Sequence, residues 1–413
     1  MAYNRGLLVP NPSVIIVSTG SGFGSSIHPQ KDGIGSVKPA LWVQRMPWSL
    51  VALGCLLIAL GCVGIARCEE LGTSGGRFLR QQIVWSLLAV AVMLAATIPN
   101  YRVLCRWSYL AFLVALGLLV AVYFFPPVNG ARRWIRFGPI GMQPSEVAKV
   151  ALVLALARYL MYRENYRRLS GLLLPLGLTL LPVLLILREP DLGTALIFLP
   201  VVFVMLFAAG ARRFDLARVA LVGVLALPLL WSQMSREQKS RVTSLFEQAG
   251  PGRTATADTY QLRQAKQVLM LGGVWGSLFS GQAVDDPAGY RLPEARSDFI
   301  FCILGERLGL LGIALLLGLY VATAWYGLAI ALATREPFGR LAATGLTALL
   351  AVQVLVNAGM TVGLLPVTGL SLPLVSYGGS GLVAFGLMLG LLLNIGMRPG
   401  YEVTGEPFRY VVE

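Results

Sequence analysis

The chain has 413 residues, of which 56% are hydrophobic and only 13% charged, with a formal net charge of +14. A soluble domain carries about 25% charged residues, so this composition, with a mean hydropathy of +0.70, reads as an integral membrane protein. The basic residues stand singly between apolar blocks, which suits anionic lipid headgroups and argues against nucleic acid as a partner. The lone His28 excludes a histidine-based metal centre or triad, and Cys55, Cys62, Cys68, Cys105 and Cys302 lack CxxC or zinc spacing.

Residues 1–45 are polar and rich in Gly, Ser and Pro, without the basic start and apolar core of a signal peptide, and read as a disordered cytoplasmic tail. Within them "TGSGFGSS", Thr19–Ser26, resembles a phosphate loop, but too few residues come after it to complete a βαβ unit. Ten apolar blocks come next, at 48–66, 81–99, 108–126, 142–160, 171–187, 192–210, 215–232, 299–328, 341–363 and 372–396. A bilayer core takes about 20 apolar residues per helix. The predicted fold class is therefore all-α: a polytopic membrane domain over 46–397 with ten helices. A long extracytoplasmic loop, 233–298, precedes the eighth helix, and a short cytoplasmic tail runs from 398 to 413.

With the N-terminus inside, the inner short loops hold Arg102, Arg106, Arg163, Arg167, Arg168, Arg212, Arg213, Arg218, Arg335 and Arg340. The outer ones hold Arg67, Arg77, Arg80, Arg132, Arg133, Arg136 and Arg188, a bias of ten against seven in the expected direction. In this topology four polar islands fall on the outer side. They are "NGARRWIRFGPIGMQPSEVAK" (Asn129–Lys149), "REPDLGT" (Arg188–Thr194), the long loop ending at Asp298, and "GLLPVTGLSLPLVSYGGSG" (Gly363–Gly381). The inner loops are short and chemically plain, which favours an extracytoplasmic site assembled from distant segments.

Each island has two readings. Glu146 and Lys149 are either a structural ion pair three residues apart or ionisable groups facing a cavity. Asp191 after Pro190 either caps a helix or does chemistry, and Trp134, between Arg133 and Arg136, reads as an interfacial aromatic anchor. The Gly363–Gly381 stretch, with Pro366, Gly378 and Gly379, predicts non-helical backbone at membrane depth, which must line a cavity or be buried in protein. Asp298 either marks the water line or acts; Glu306, two turns deeper on a similar face, suggests that a polar stripe continues inward.

The stretches "NGARRWI…QPSEVAK", "EPDLGTAL", "LPEARSDFIFCILGERLG" and "NAGMTVGLLPVTGLSLPLVSYGGS" resemble, in order, those of the shape, elongation, division and sporulation family, which includes RodA and FtsW. The resemblance spans residues 48–397, and "NAGM" and "QPSEVAK" look closer to RodA. It implies a peptidoglycan glycosyltransferase that polymerises lipid II at the outer face of the cytoplasmic membrane beside a transpeptidase, a class B penicillin-binding protein. It places Asp298 at the family's essential acid, and Arg133, Glu146, Lys149, Asp191 and the run Ser376, Tyr377, Gly378, Gly379, Ser380 at its other functional positions. Four departures stand out: Arg296-Ser297 in place of His-Thr, no Lys after Gly272-Gly273, Gly381 in place of a second Ser, and Glu189 in place of Gln.

On this resemblance Asp298 is the general base for an acceptor hydroxyl. Arg133, with Arg136 and Arg132, steadies phosphate, Glu146 and Lys149 shape the cavity, and apolar grooves hold polyprenyl tails among the membrane lipids. No cofactor is certain from the sequence; a divalent cation, Mg or Mn, is the one the leaving diphosphate would admit, and no ligand set for it is legible. Two other readings fit the same residues: a flippase or transporter of lipid-linked precursors, and a non-catalytic scaffold that activates a cell-wall synthase.

Overall fold

The computed structural model describes residues 44–71, 76–127, 131–138, 140–162, 169–247, 257–280, 292 and 294–398. The chain divides into Met1–Gln44 and Arg45–Glu413, and the helical bundle belongs to the second unit. The phosphate-loop-like stretch, His28 and the tail beyond residue 398 lie outside the described residues.

The bundle's elements run α1 (Trp48–Glu70), α2 (Arg77–Ala95), α3 (Tyr101–Ala121), a hairpin of β1 (Ile135–Phe137) and β2 (Ile140–Met142), α4 (Pro144–Met161), α5 (Leu173–Arg188) and α6 (Leu192–Ala209). Then come α7 (Arg213–Leu225), α8 (Leu227–Gln233), α9 (Arg236–Glu247), α10 (Ala257–Leu271), α11 (Gly276–Ser280), α12 (Ile300–Ala333), α13 (Pro337–Val362) and α14 (Gly379–Gly396). Among the described residues, nine helical stretches are long and apolar enough to cross a membrane, with α7 and α8 counted as one. The tenth expected block is α4, whose Glu146, Lys149 and Arg158 set it apart by composition. It is nonetheless buried along nearly its whole length, as the central helix of a bundle should be. At the other extreme, α7 buries only Asp215 and Leu216 and α8 buries nothing, so this span presents its leucines and valines outward, where lipid covers them.

Three expectations change. The last apolar block does not become helical at 372 but at Gly379: the backbone from Gly363 to Gly378 is non-helical, interrupted by Pro366 and Pro373, and largely buried. The segment 233–298 is not a plain loop, because α9, α10 and α11 fold within it. The eighth block is broken as well as long. Its 34 residues would reach about 51 Å as one straight helix against about 30 Å of hydrocarbon. It breaks at Gly309, where φ is +70°, a conformation open to glycine. There the amides of Leu310 and Leu311 leave the helical pattern and donate to Gly273 O (3.0 Å) and Val274 O (3.4 Å). The turn between α10 and α11 thus takes up amides that a break would otherwise orphan.

Above this break a buried ion pair ties three elements. Arg67, in the last turn of α1, donates from Nη2 to Glu306 Oε1 (2.9 Å) and from Nε to Oε2 (3.1 Å), and also reaches Ser277 Oγ at the start of α11 (3.4 Å). Glu306 is fully buried. Its polar character therefore serves helix assembly; it faces Arg67 and does not extend a stripe from Asp298. Arg67→Leu removes the guanidinium paired with that buried carboxylate and is expected to cost about 3–5 kcal/mol of stability. The double variant Arg67→Leu/Glu306→Leu recovers most of the loss. Melting temperatures of the purified variants in detergent check both; a double variant no more stable than the single one contradicts the pairing.

Candidate active site

All four polar islands meet in one open cleft. Trp134, Gln143 and Glu146 come from the first, Thr194 from the second, Ser297 and Asp298 from the third, and Gly369 to Leu372, Ser376, Tyr377, Ser380 and Gly381 from the fourth. Segments more than 200 residues apart in sequence thereby share one solvent-reachable space.

Asp298 closes a turn, its own N–H donating to Glu294 O (3.1 Å), immediately before Phe299 and the start of α12. Three further bonds fix that turn. Asn357 of α13 donates its Nδ2 both to Asp298 O (2.9 Å) and to Leu370 O (2.6 Å). The Ser376 hydroxyl donates to Ser297 O while accepting from Leu372 N (2.7 Å). Tyr377 N donates to Arg296 O (2.8 Å). The backbone that presents the acid is thus held from two sides, and its carboxylate is left half-buried at the cleft wall. Burial, then the neighbouring Glu294 and, more weakly, Asp191 push its pKa up to about 7, with Arg241 and the Ser297 hydroxyl opposing. A carboxylate titrating near neutrality is a far better base than an exposed one near about 3.9.

The Ser-Tyr-Gly-Gly-Ser run acts mainly as a strap. Tyr377 OH donates to Gln81 Oε1 (2.6 Å), its ring meets Phe78 edge-on at 5.4 Å, and Gln82 Nε2 donates to Ser376 O (3.3 Å). Gly378 precedes α14, and Gly379 opens it so close to Trp85 that a Cβ there would lie 2.3 Å from the indole. Ser380 lines the cleft, whereas Pro366 is half-buried in the non-helical segment away from it. Arg296, the cation two residues before the acid, is turned aside and stacks over the Phe78 ring at 3.8 Å.

Glu146 and Lys149 form the expected pair at 2.8 Å, and Lys149 also donates to Gln353 Oε1 (2.8 Å). Glu146 lines the cleft with its second oxygen, Oε2, buried and unpartnered. The remaining predicted residues do not reach the cleft. Asp191 accepts from Thr194 N (3.1 Å) and Thr194 Oγ1 (2.9 Å), and so takes its capping reading at the start of α6. Arg133 donates to Glu189 O (3.0 Å) and Pro190 O, bracing the turn before that helix. Arg136 lies exposed on β1, and Arg132 donates to Tyr123 O (2.7 Å). No group of three or more His, Cys, Asp and Glu among the described residues is arranged to hold a metal ion.

Sequence reasoning missed Gln353, Asn357 and Arg241. The first two had a signal: amides four residues apart on one face of an otherwise apolar helix, which must find partners in the bundle. Arg241 had none, because "REQKSRV" reads as an ordinary solvated helix.

Glu189 is buried beside this cleft, and burial, then Asp191, raise its pKa to about 8 against the opposing Arg133. At neutral pH it is therefore a neutral acid, close in shape and polarity to the Gln that the family resemblance places there. Because the unfolded chain ionises this group near about 4.3, folding stability falls as pH rises from there toward 8, and the penalty is complete above 8. Glu189→Gln is expected to melt higher than the parent at pH 8, with the difference shrinking toward pH 5. Thermal melts across that range check it; parallel curves contradict it.

Comparisons with known proteins agree with this architecture. A cell cycle protein family model spanning FtsW, RodA and SpoVE matches residues 43–399. A probable peptidoglycan glycosyltransferase FtsW from Geobacter metallireducens is 34% identical over 83% of this chain and 93% of its own length. The peptidoglycan glycosyltransferase MrdB of Escherichia coli K12 is 38% identical over 84% of this chain and 91% of its own. Among solved structures, a chain from a peptidoglycan synthase complex that coordinates polymerization and crosslinking superposes with a TM-score of 0.72 at 33% identity, covering 86% of this chain and 98% of that one. With its family model matched from end to end of the helical bundle, the chain belongs to the FtsW, RodA and SpoVE family of multi-pass membrane proteins.

Proposed function

We propose that this protein is a peptidoglycan glycosyltransferase that polymerises lipid II into glycan strands at the outer face of the cytoplasmic membrane. The observation that carries this reading is the convergence of four polar segments on Asp298, held in a half-buried cleft at one end of an apolar bundle. The named relatives support the reaction class. The arginine bias supports placing both termini on the cytoplasmic side, with the cleft facing out. The similarity to a chain of a polymerizing and crosslinking complex supports a class B penicillin-binding protein as partner.

In this reading the acceptor sugar hydroxyl enters the cleft beside Asp298. The carboxylate takes its proton as the oxygen attacks C1 of the donor sugar. The bond from C1 to the diphosphate breaks, and the polyprenyl diphosphate leaves with the bonding electrons. Asp298 then passes the proton to solvent through the open side of the cleft. Lys149, neutralised by Glu146 and bound to Gln353, anchors α4 to α13 behind the acid. The alternatives of transporter and scaffold gain no observation of their own.

The test is glycan synthesis by the purified chain, with its transpeptidase partner, from lipid II. The parent is expected to yield polymer. Asp298→Asn, nearly isosteric but unable to accept the proton, is expected to lose at least 100-fold in rate at an unchanged melting temperature. Polymer from the Asn variant at the parent rate would remove Asp298 from the chemistry.

A further inference from the structure

The diphosphate of a lipid-linked sugar is strongly anionic, and the cleft presents it with acids: Asp298 and Glu146 in its wall, Glu294 and Asp191 close by. Binding therefore needs a cation beside Asp298; of the cations the sequence offered, Arg136 lies exposed on β1 outside the cleft lining, and the others are already engaged. Arg133 holds the Glu189 and Pro190 carbonyls, Arg132 holds Tyr123 O, Lys149 holds Glu146 and Gln353, and Arg296 lies over Phe78.

Arg241, on α9, is placed differently. It makes one long hydrogen bond, from Nη1 to Thr368 O (3.4 Å). Among the described residues it has no carboxylate at ion-pair distance. Between it and the acid lies Gly369, exposed and at φ +71°. A Cβ on Gly369 would sit 3.5 Å from Asp298 Oδ2 and 3.7 Å from Arg241 Nη1. The base and the guanidinium thus flank one notch, whose floor is bare backbone. A planar fork of N–H donors at such a notch matches phosphate oxygens, and bare backbone lets an anion approach closely.

We propose that Arg241 is a substrate-binding residue of this centre, receiving the diphosphate of the lipid-linked sugar at the Gly369 notch beside Asp298. The inference rests on the functional reading above. It also gives α9 a purpose: the helix brings a cation to the Gly369 notch at the edge of the cleft.

The test is equilibrium binding to the full chain in detergent, using a labelled polyprenyl diphosphate and the matching uncharged polyprenol. The parent is expected to prefer the diphosphate. Arg241→Gln, which keeps a donor for Thr368 O, is expected to weaken diphosphate binding at least tenfold and leave polyprenol binding unchanged. Arg241→Lys retains part of the preference, and Arg133→Gln retains all of it. Unchanged diphosphate affinity in Arg241→Gln, equal loss of both lipids, or loss of the preference at Arg133 instead would overturn the assignment. Polymer formation is read separately. A parent that binds diphosphate through Arg241 but makes no glycan would sink the functional reading and leave the binding site standing.

Discussion

Non-helical backbone inside an apolar bundle must have its carbonyls satisfied by side chains, and the stretch from Gly363 to Gly378 meets that constraint one carbonyl at a time. Leu370 O accepts from Asn357 and Ser371 O from Gln353, both on α13, while Pro373 O accepts from Tyr320 on α12. Ser376 O accepts from Gln82 on α2, and Thr368 O from Arg241 on α9. Each donor comes from a neighbouring helix, so the conformation of this stretch reports the assembly of the whole bundle. Leaving any of these groups unpaired in an apolar setting costs on the order of 1–3 kcal/mol.

The same donors reach the acid. Asn357 uses a single NH2 group to join Asp298 O to Leu370 O, so the residues that fix the irregular stretch also fix the turn carrying the carboxylate. Ser376 repeats the arrangement one residue earlier, at Ser297 O. Gln353 extends it to Lys149 and so to Glu146 on the most buried helix. An acid held through its backbone keeps its side chain free for substrate, which is what the proposed general-base chemistry requires. Desolvation, reinforced by the nearby charges of Glu294 and Asp191, then places its titration where a base is useful.

Much of this was legible in the sequence because it depends on local composition. Apolar length located ten blocks, and arginine bias grouped four polar islands on one side. The islands do converge, and Glu146 and Lys149 do pair. What failed depends on partners far apart in the chain. Glu306 was read as deepening the polar stripe because nothing in its neighbourhood names Arg67, 239 positions earlier, as its partner. Arg133 and Asp191 carry the charges expected at a substrate site, yet their geometry spends them on carbonyls and a helix cap. The break at Gly309 was hidden within the eighth predicted block, because it arises from the approach of Gly273 and Val274. Arg241 sits in a segment whose pattern is that of any solvated helix, and only the fold brings it to the cleft.

In the proposed reaction, catalysis turns on a carboxylate that is about half ionised at neutral pH yet basic enough to act there. The pH dependence of the polymerisation rate at saturating lipid II tests this most directly, because a general base must be deprotonated before the hydroxyl attacks. With the pKa of Asp298 pushed up to about 7, the rate is expected to fall about tenfold per pH unit below that point, on folded protein. A rate that stays flat down to about pH 5, as an exposed carboxylate near about 3.9 would give, would contradict it.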